Sequence, residues 1–297
     1  MRNSSSHKNP LAEVFGFPVD DMSDVAHRHR RLKLCPFNNK VPNCTKDKAN
    51  DPLGVCSIYH NNHTVITCPV RFREHWIIAE DAASFFFGDN ANWTSLTEVK
   101  LEDKNGQSAG NIDIVLVAYD EAGKVIDFGS LEVQGVYISG NIRRPFETFV
   151  KDPSAWRSTD WGAKASSAFY PKPDYLSSSR KRLVPQMLYK GGILKAWGRK
   201  QAVALQKSFF ETLPELPRVG QDAAEIAWFL YDLQLANSRY ELKQVEIVYT
   251  EYWPALNIIT TPEPGDMSDF ISVLQNKLTD KLDNPPDTPT ITDVFLQ

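Results

Sequence analysis

Asp113 and the triplet Glu132-Val133-Gln134 are the residues of this 297-residue chain whose types and spacing most directly allow chemistry. Both acids interrupt β-prone apolar runs, Ile112-Asp113-Ile114-Val115-Leu116-Val117 and Gly129-Ser130-Leu131-Glu132-Val133-Gln134-Gly135-Val136. A carboxylate embedded among such neighbours is costly unless something binds it. Side chains alternate across a strand, so Glu132 and Gln134 share one face, and in a hairpin Asp113 reaches that same face. Two carboxylates converging at a sheet end present hard oxygen ligands suited to Mg²⁺, which takes carboxylate and phosphate oxygens and keeps several waters. Such an ion polarises a phosphoryl oxygen and lowers the pKa of a bound water for in-line attack. Glu98, on the preceding strand-like stretch, is a candidate third carboxylate. Solvent-facing acids on strands are the competing explanation, and D…ExQ spacing alone matches many unrelated chains.

A second constellation is sulfur. Cys35, Cys44, Cys56 and Cys68 are the only cysteines and fall within 34 residues. The chain opens without an apolar leader-like run and has no stretch long enough for a membrane helix, so a cytoplasmic location is expected. In that compartment clustered cysteines favour a metal over disulfides. The intervals of 8, 11 and 11 residues lack the paired CxxC pattern of strong zinc signatures. Four thiolates suit zinc or iron equally, His60 and His63 are spare ligands, and four reduced buried thiols are the alternative.

Charge gives the third signal. The net charge of −4 conceals a division along the chain: residues 139–207 hold 14 Lys and Arg against 4 Asp and Glu, while residues 208–297 hold 5 against 15. A basic block of this kind is a footprint for a polyanion, or a solvated face matched to the acidic tail. Candidate DNA contacts within it are Arg143, Arg144, Arg180, Lys181, Arg182, Gln186 and Lys190, followed by Lys195, Arg199 and Lys200. Lys and Arg neutralise phosphates, and Arg to guanine is the commonest specific base contact.

The elements that must position these groups read as follows. A weak helical start is expected over residues 10–17, and a helix over residues 76–87, with a short strand before it as an option. Residues 94–101 alternate with period two, as a half-buried strand does. Residues 112–119 and 125–139 are strands joined by the turn Asp120-Glu121-Ala122-Gly123. A long helical segment is expected over residues 180–210, broken at Pro185 and Gly191-Gly192, then an amphipathic helix over 221–237 and a strand over 245–249. Residues 268–282 form a terminal helix, with a flexible tail opening at Asn284-Pro285-Pro286-Asp287. The order implies an α/β fold with a mixed central sheet flanked by helices. Four parts are expected: a polar segment 1–34; a small four-cysteine metal-binding subdomain 35–70, too poor in apolar residues to build its own core; a core 71–260; and a terminal helix and tail 261–297.

The D…ExQ pair on adjacent strands resembles the PD-(D/E)xK nuclease core, with Gln134 in place of the final lysine. The stretches Cys35-Pro36-Phe37, Val41-Pro42-Asn43-Cys44, Pro52-Leu53-Gly54-Val55-Cys56 and Cys68-Pro69-Val70-Arg71-Phe72-Arg73-Glu74 look like the NotI family of type II restriction endonucleases. So do Ser108-Ala109-Gly110-Asn111-Ile112-Asp113 and Leu131-Glu132-Val133-Gln134, and the likeness runs from about Cys35 to Leu205. The resemblance implies Mg²⁺-dependent cleavage of double-stranded DNA at a GC-rich palindrome by a homodimer. A cognate DNA methyltransferase would act on the same site without needing to bind this chain. The resemblance also implies a structural iron or zinc ion on Cys35, Cys44, Cys56 and Cys68, with Asp113, Glu132 and Gln134 in the catalytic roles and Glu98 as a softer match. The expected site is CGGCCG, with GCGGCCGC as the alternative. A DNA-binding protein without hydrolysis and a structure-specific repair nuclease are the competing functions.

Overall fold

The computed structural model describes residues 9–38, 41–48, 50–88, 90–161 and 170–284. They divide into two compact units, one ending at Thr260 and the other beginning at Thr261.

The chain begins with strands β1 (Leu11–Val14) and β2 (Phe17–Pro18), where a helical start is expected. Val14 pairs with Phe17, so Phe15 and Gly16 form a two-residue turn with φ of 53° and 81°. Two positive φ values mark the hairpin turn whose twist matches the strands, but Phe-Gly is not its usual sequence signal. Helix α1 (Asp24–Leu32) follows, with the Ser23 side chain accepting from Ala26 N–H at its start. It buries only Ala26, so no apolar stripe marks it in the sequence. The cysteine region contributes a two-residue ladder, β3 (Asp47–Lys48) with β4 (Asp51–Pro52), and the hairpin β5 (Val55–His60) with β6 (His63–Ile66). β5 pairs with β1, giving a four-stranded sheet in the order β2-β1-β5-β6. The apolar cover this region lacks locally comes from elsewhere: Leu11, Val14, Val55, Ile58 and Val65 share a core with Phe146, Phe149 and Trp156.

The same junction holds a buried charge pair. Arg71 and Glu13 are fully buried 3.1 Å apart, and Ser57 Oγ donates to Glu13 at 2.7 Å. Arg71 also meets Glu74 at 3.0 Å, donates to the Tyr240 carbonyl at 2.8 Å and lies 4.3 Å from the Phe37 ring centroid. Burial pushes the Glu13 carboxyl above its ordinary value, against the pull of Arg71. Removing one partner of such a pair strands the other in a dry site, so Arg71→Met is expected to cost about 3–5 kcal/mol in chemical denaturation.

A 3₁₀ turn over Pro69–Trp76 leads into α2 (Ile77–Phe87), with no strand before it. Strands β7 (Trp93–Glu102), β8 (Ser108–Tyr119) and β9 (Val125–Gln134) then form an antiparallel meander. The last expected strand is split, because Gly135 and Val136 separate β9 from β10 (Tyr137–Ser139). β10 pairs with β11 (Lys172–Asp174), and between them lie α3 (Arg143–Lys151) and a short helix, Pro153–Ser158. Consecutive α and π turns cover residues 175–196.

Here the structure corrects two expected helices. Residues 201–206, inside the expected long helix, form β12 (Gln201–Gln206). Residues 226–236, inside the expected amphipathic helix, form β13 (Ile226–Ala236). β13 pairs antiparallel with β14 (Arg239–Thr250), which extends the expected late strand at both ends. The six-stranded sheet runs β14-β13-β12-β9-β8-β7, with β12 parallel to both β9 and β13. Every residue of β12 is buried, and strands covered on both faces lose the polar–apolar alternation that would reveal them.

Alternate residues of this sheet feed two cores. Ala202, Ala204 and Phe229 pack with Leu131 against Ile78, Ala82 and Phe86 of α2. Val203, Leu205 and Trp228 face Leu183, Met187 and Tyr252 on the other side. The fold is thus mixed α/β, with a central mixed sheet flanked by helices. The second unit contains the terminal helix Met267–Asp283, started by Asp266 accepting from Ser268 N–H. Residues 285–287 of the expected tail lie outside the described residues. No helix among the described residues is long and apolar enough to cross a membrane.

Candidate active site

Strand register places the acids side by side. Thr97 pairs with Ile114 and Val99 with Ile112, which sets Glu98 opposite Asp113. Ile114 pairs with Leu131, which sets Asp113 beside Glu132 one step further along. Leu131 packs on the α2 side, so Glu132 faces the layer built from residues 175–196. Glu98 is exposed and has φ of 57°, a left-handed value inside a strand, so it departs from the regular pleat. Strain of this kind in a non-glycine residue costs of order 1–3 kcal/mol and concentrates at functional sites.

Glu132 is buried, with 8% of its surface exposed. Burial, and next the charge of Asp113, push its carboxyl up to about 7; Lys190 pulls the other way. Asp113 is raised as well, chiefly by burial, with relief from the Val133 N–H that donates to its Oδ2 at 3.1 Å. Lys190 Nζ forms an ion pair with Glu132 Oε1 at 2.7 Å. Glu132 Oε2 is buried without a hydrogen-bond partner among the described residues. Two adjacent carboxylates are hard oxygen donors of the kind a divalent cation takes.

A cavity of about 600 Å³ opens at this point, lined by Arg73, Glu98, Asp113, Gln134 and Arg182 among others. Gln134 donates through Nε2 to the Gly135 carbonyl at 2.6 Å. Its neighbour Gly135 lies against backbone of the cysteine region, where a Cβ would come within 3.2 Å of Pro69 N. Arg73 is a site residue that sequence reasoning missed. It lines the cavity and its charge lowers the Asp113 pKa, and the stretch Cys68 to Glu74 was the signal that could have found it.

The basic block separates into two classes. Arg144, Arg180, Lys181 and Arg182 are exposed, with Arg182 lying 4.7 Å from the Tyr137 ring centroid. The others have internal partners. Arg143 pairs with Asp47 and Asp51, Lys195 with Glu225, and Arg199 with Asp127, while Lys200 donates to the Phe85 carbonyl. Gln186 accepts from Lys190 at 3.0 Å, and Lys190 itself is buried. Charge counting cannot separate these classes, because pairing depends on contacts distant in sequence.

Cys44, Cys56 and Cys68 are buried, Cys35 is partly so, and all four are free thiols. They are neighbours in the electrostatic sense, since Cys68 acts on the titration of the other three. Burial is the larger effect and pushes the Cys35 thiol up to about 11. Among the described residues, however, no group of three or more His, Cys, Asp or Glu is placed to hold a metal ion. The four-thiolate iron or zinc site is thus without support among the described residues. Sequence proximity gathers the thiols, but backbone packing around β5 and β6 sets their mutual geometry.

No curated protein matches the sequence. The family model described as restriction endonuclease NotI matches residues 17–243, most of the chain and every residue of the acid site. The chain belongs to the NotI restriction endonuclease family.

Proposed function

We propose that this protein is a type II restriction endonuclease with a PD-(D/E)xK core, cleaving double-stranded DNA at a GC-rich palindrome by Mg²⁺-dependent hydrolysis. The observation that carries the reading is the adjacent buried pair Asp113 and Glu132, with Asp113 on the wall of an open cavity and Glu132 Oε2 without a hydrogen-bond partner among the described residues. Asp113 and Glu132 would hold the ion, which when bound supplies Lewis-acid polarisation of the phosphoryl oxygen and a water of lowered pKa. The chain's own groups orient the reaction. Val133 N–H fixes the Asp113 carboxylate, and Gln134, having committed its Nε2, keeps Oε1 to accept from a water. Arg73, at the cavity wall, is placed to meet the scissile phosphate. Arg144, Arg180, Lys181 and Arg182 would contact the flanking backbone and guanine edges.

A palindrome presents two equivalent phosphates related by a two-fold axis, so the reader is proposed as a homodimer with one active site per strand. CGGCCG is the favoured site and GCGGCCGC the alternative, protected in the host by a methyltransferase acting on the same sequence. Digesting a plasmid of known sequence with Mg²⁺ and sequencing the ends tests the whole reading. Discrete fragments ending at one GC-rich palindrome are expected. Binding without cleavage would favour the non-hydrolytic alternative, and cuts governed by junctions or free ends would favour a structure-specific nuclease.

A further inference from the structure

We propose that Lys190, delivered from the helical turns over residues 175–196, supplies the cation that position 134 lacks, acting as a positioning residue on Glu132. The inference rests on the nuclease reading above. Gln134 leaves the ExQ strand with no positive charge of its own, yet an ammonium stands 2.7 Å from the acid two residues earlier on that strand.

The placement is built, not incidental. Lys190 is 5% exposed, whereas Arg180, Lys181 and Arg182 in the same helical run are exposed. A lysine serving only a DNA phosphate has no reason to leave water, and burying an ammonium is expensive without partners. Lys190 has them: Nζ donates to the Asn111 carbonyl at 2.7 Å and to Gln186 Oε1 at 3.0 Å. These two bonds hold the ammonium, and its remaining contact is the Glu132 carboxylate. The Asn111 carbonyl lies two residues before Asp113, so the cation is tied to both acid-bearing strands.

The backbone that carries Lys190 is also specialised. Met187–Gly191 is a π turn, and a second π turn covers Ser179–Leu183. Pro185 lies between them and has no N–H to give the helical ladder, which favours the wider turns. Gly191 fixes the depth of the helix: a Cβ there would stand 2.6 Å from Gln201 Oε1 and 3.1 Å from Tyr252 Cε2. Gln201 Nε2 donates to the Gly191 carbonyl at 3.0 Å and Tyr252 Oη to the Met187 carbonyl at 2.6 Å, pinning the turn to β12 and to the helix Tyr252–Thr260. A second cavity, of about 580 Å³, is lined by Lys190, Gln186 and Asp113, so Lys190 shares its wall with one of the acids.

The test uses the full chain and a duplex carrying the site found by plasmid digestion. Lys190→Met is expected to lower the cleavage rate by at least about 100-fold, the scale of losing one group that stabilises the reacting charge. Its DNA affinity in Ca²⁺ should stay within about twofold, with an unchanged salt slope, because no phosphate contact is lost. Adding Gln134→Lys to Lys190→Met should restore at least about tenfold of the lost rate, since the cation then comes from the strand itself. If Lys190→Met melts far below the wild type, Lys190→Gln, which keeps a polar hydrogen-bonding group at the position, is read in the same way. Cleavage within threefold of wild type overturns the proposal. So does a weakened affinity with a salt slope reduced by about one, which would mark an ordinary phosphate contact. Failure of Gln134→Lys to rescue an inactive, DNA-binding variant overturns it too. Wild-type protein that cuts no DNA would instead defeat the nuclease reading, and the two failures are distinguishable.

Discussion

Asp113→Asn and Glu132→Gln should each reduce cleavage by at least about 10³-fold while leaving the fold intact. Asp113→Asn should also raise the thermal midpoint of the metal-free protein at pH 8, each ~1 kcal/mol gained being worth about 1–2 °C in a chain of this size. The sign follows from the environment. Burial lifts the Asp113 pKa above its unfolded value, with the charge of Glu98 adding to the lift, so the ionised carboxylate opposes folding. Asparagine removes that charge, and its side-chain oxygen keeps an acceptor for Val133 N–H. The gain is present where Asp113 is ionised and vanishes as pH falls through its folded pKa. Glu132 behaves alike: its carboxyl, raised to about 7, makes the metal-free wild type lose stability as pH rises through that value. Glu132→Gln gains less, because Lys190 then faces an amide. Melting curves from pH 4 to 9 beside single-turnover cleavage test both halves. Wild-type turnover in either variant would remove these acids from the site.

Affinity for the cognate duplex, measured in Ca²⁺, should fall by about 10³–10⁵-fold between 50 and 200 mM salt if 6–10 phosphates are contacted. Replacing Arg180, Lys181 and Arg182 together by alanine should lower the slope of log affinity against log salt by about 2–3, near 0.9 for each lost contact. Arg143→Ala is the internal control. Its guanidinium already serves Asp47 and Asp51, so the slope should hardly move while thermal stability declines. Filter binding across five salt concentrations distinguishes these variants. A wild-type slope shallower than about 2 would show that the basic block is a solvated face rather than a DNA surface.

The sequence by itself determined the meander and the acids on it. Strand β7 has enough alternation, and β8 and β9 enough β-prone residues about a clear turn, to be read locally. Acids interrupting apolar strands stand out because an unpartnered carboxylate there would be costly, and the motif order around Cys35–Glu74 and Leu131–Gln134 identified the family. Tertiary structure decided the rest. β12 and the first half of β13 are covered on both faces, so Gln201–Gln206 and Ile226–Tyr231 carry no period that separates strand from helix. The N-terminal strand β1 became legible only as the partner of β5, more than forty residues away. Side-chain fates were the least accessible. Lys190 and Lys181 are the same residue type nine positions apart, yet one is buried against Glu132 and the other meets solvent. A lysine's role is set by whichever carboxylate or carbonyl lies within about 3 Å after folding, and that distance is made by contacts between elements far apart in the chain.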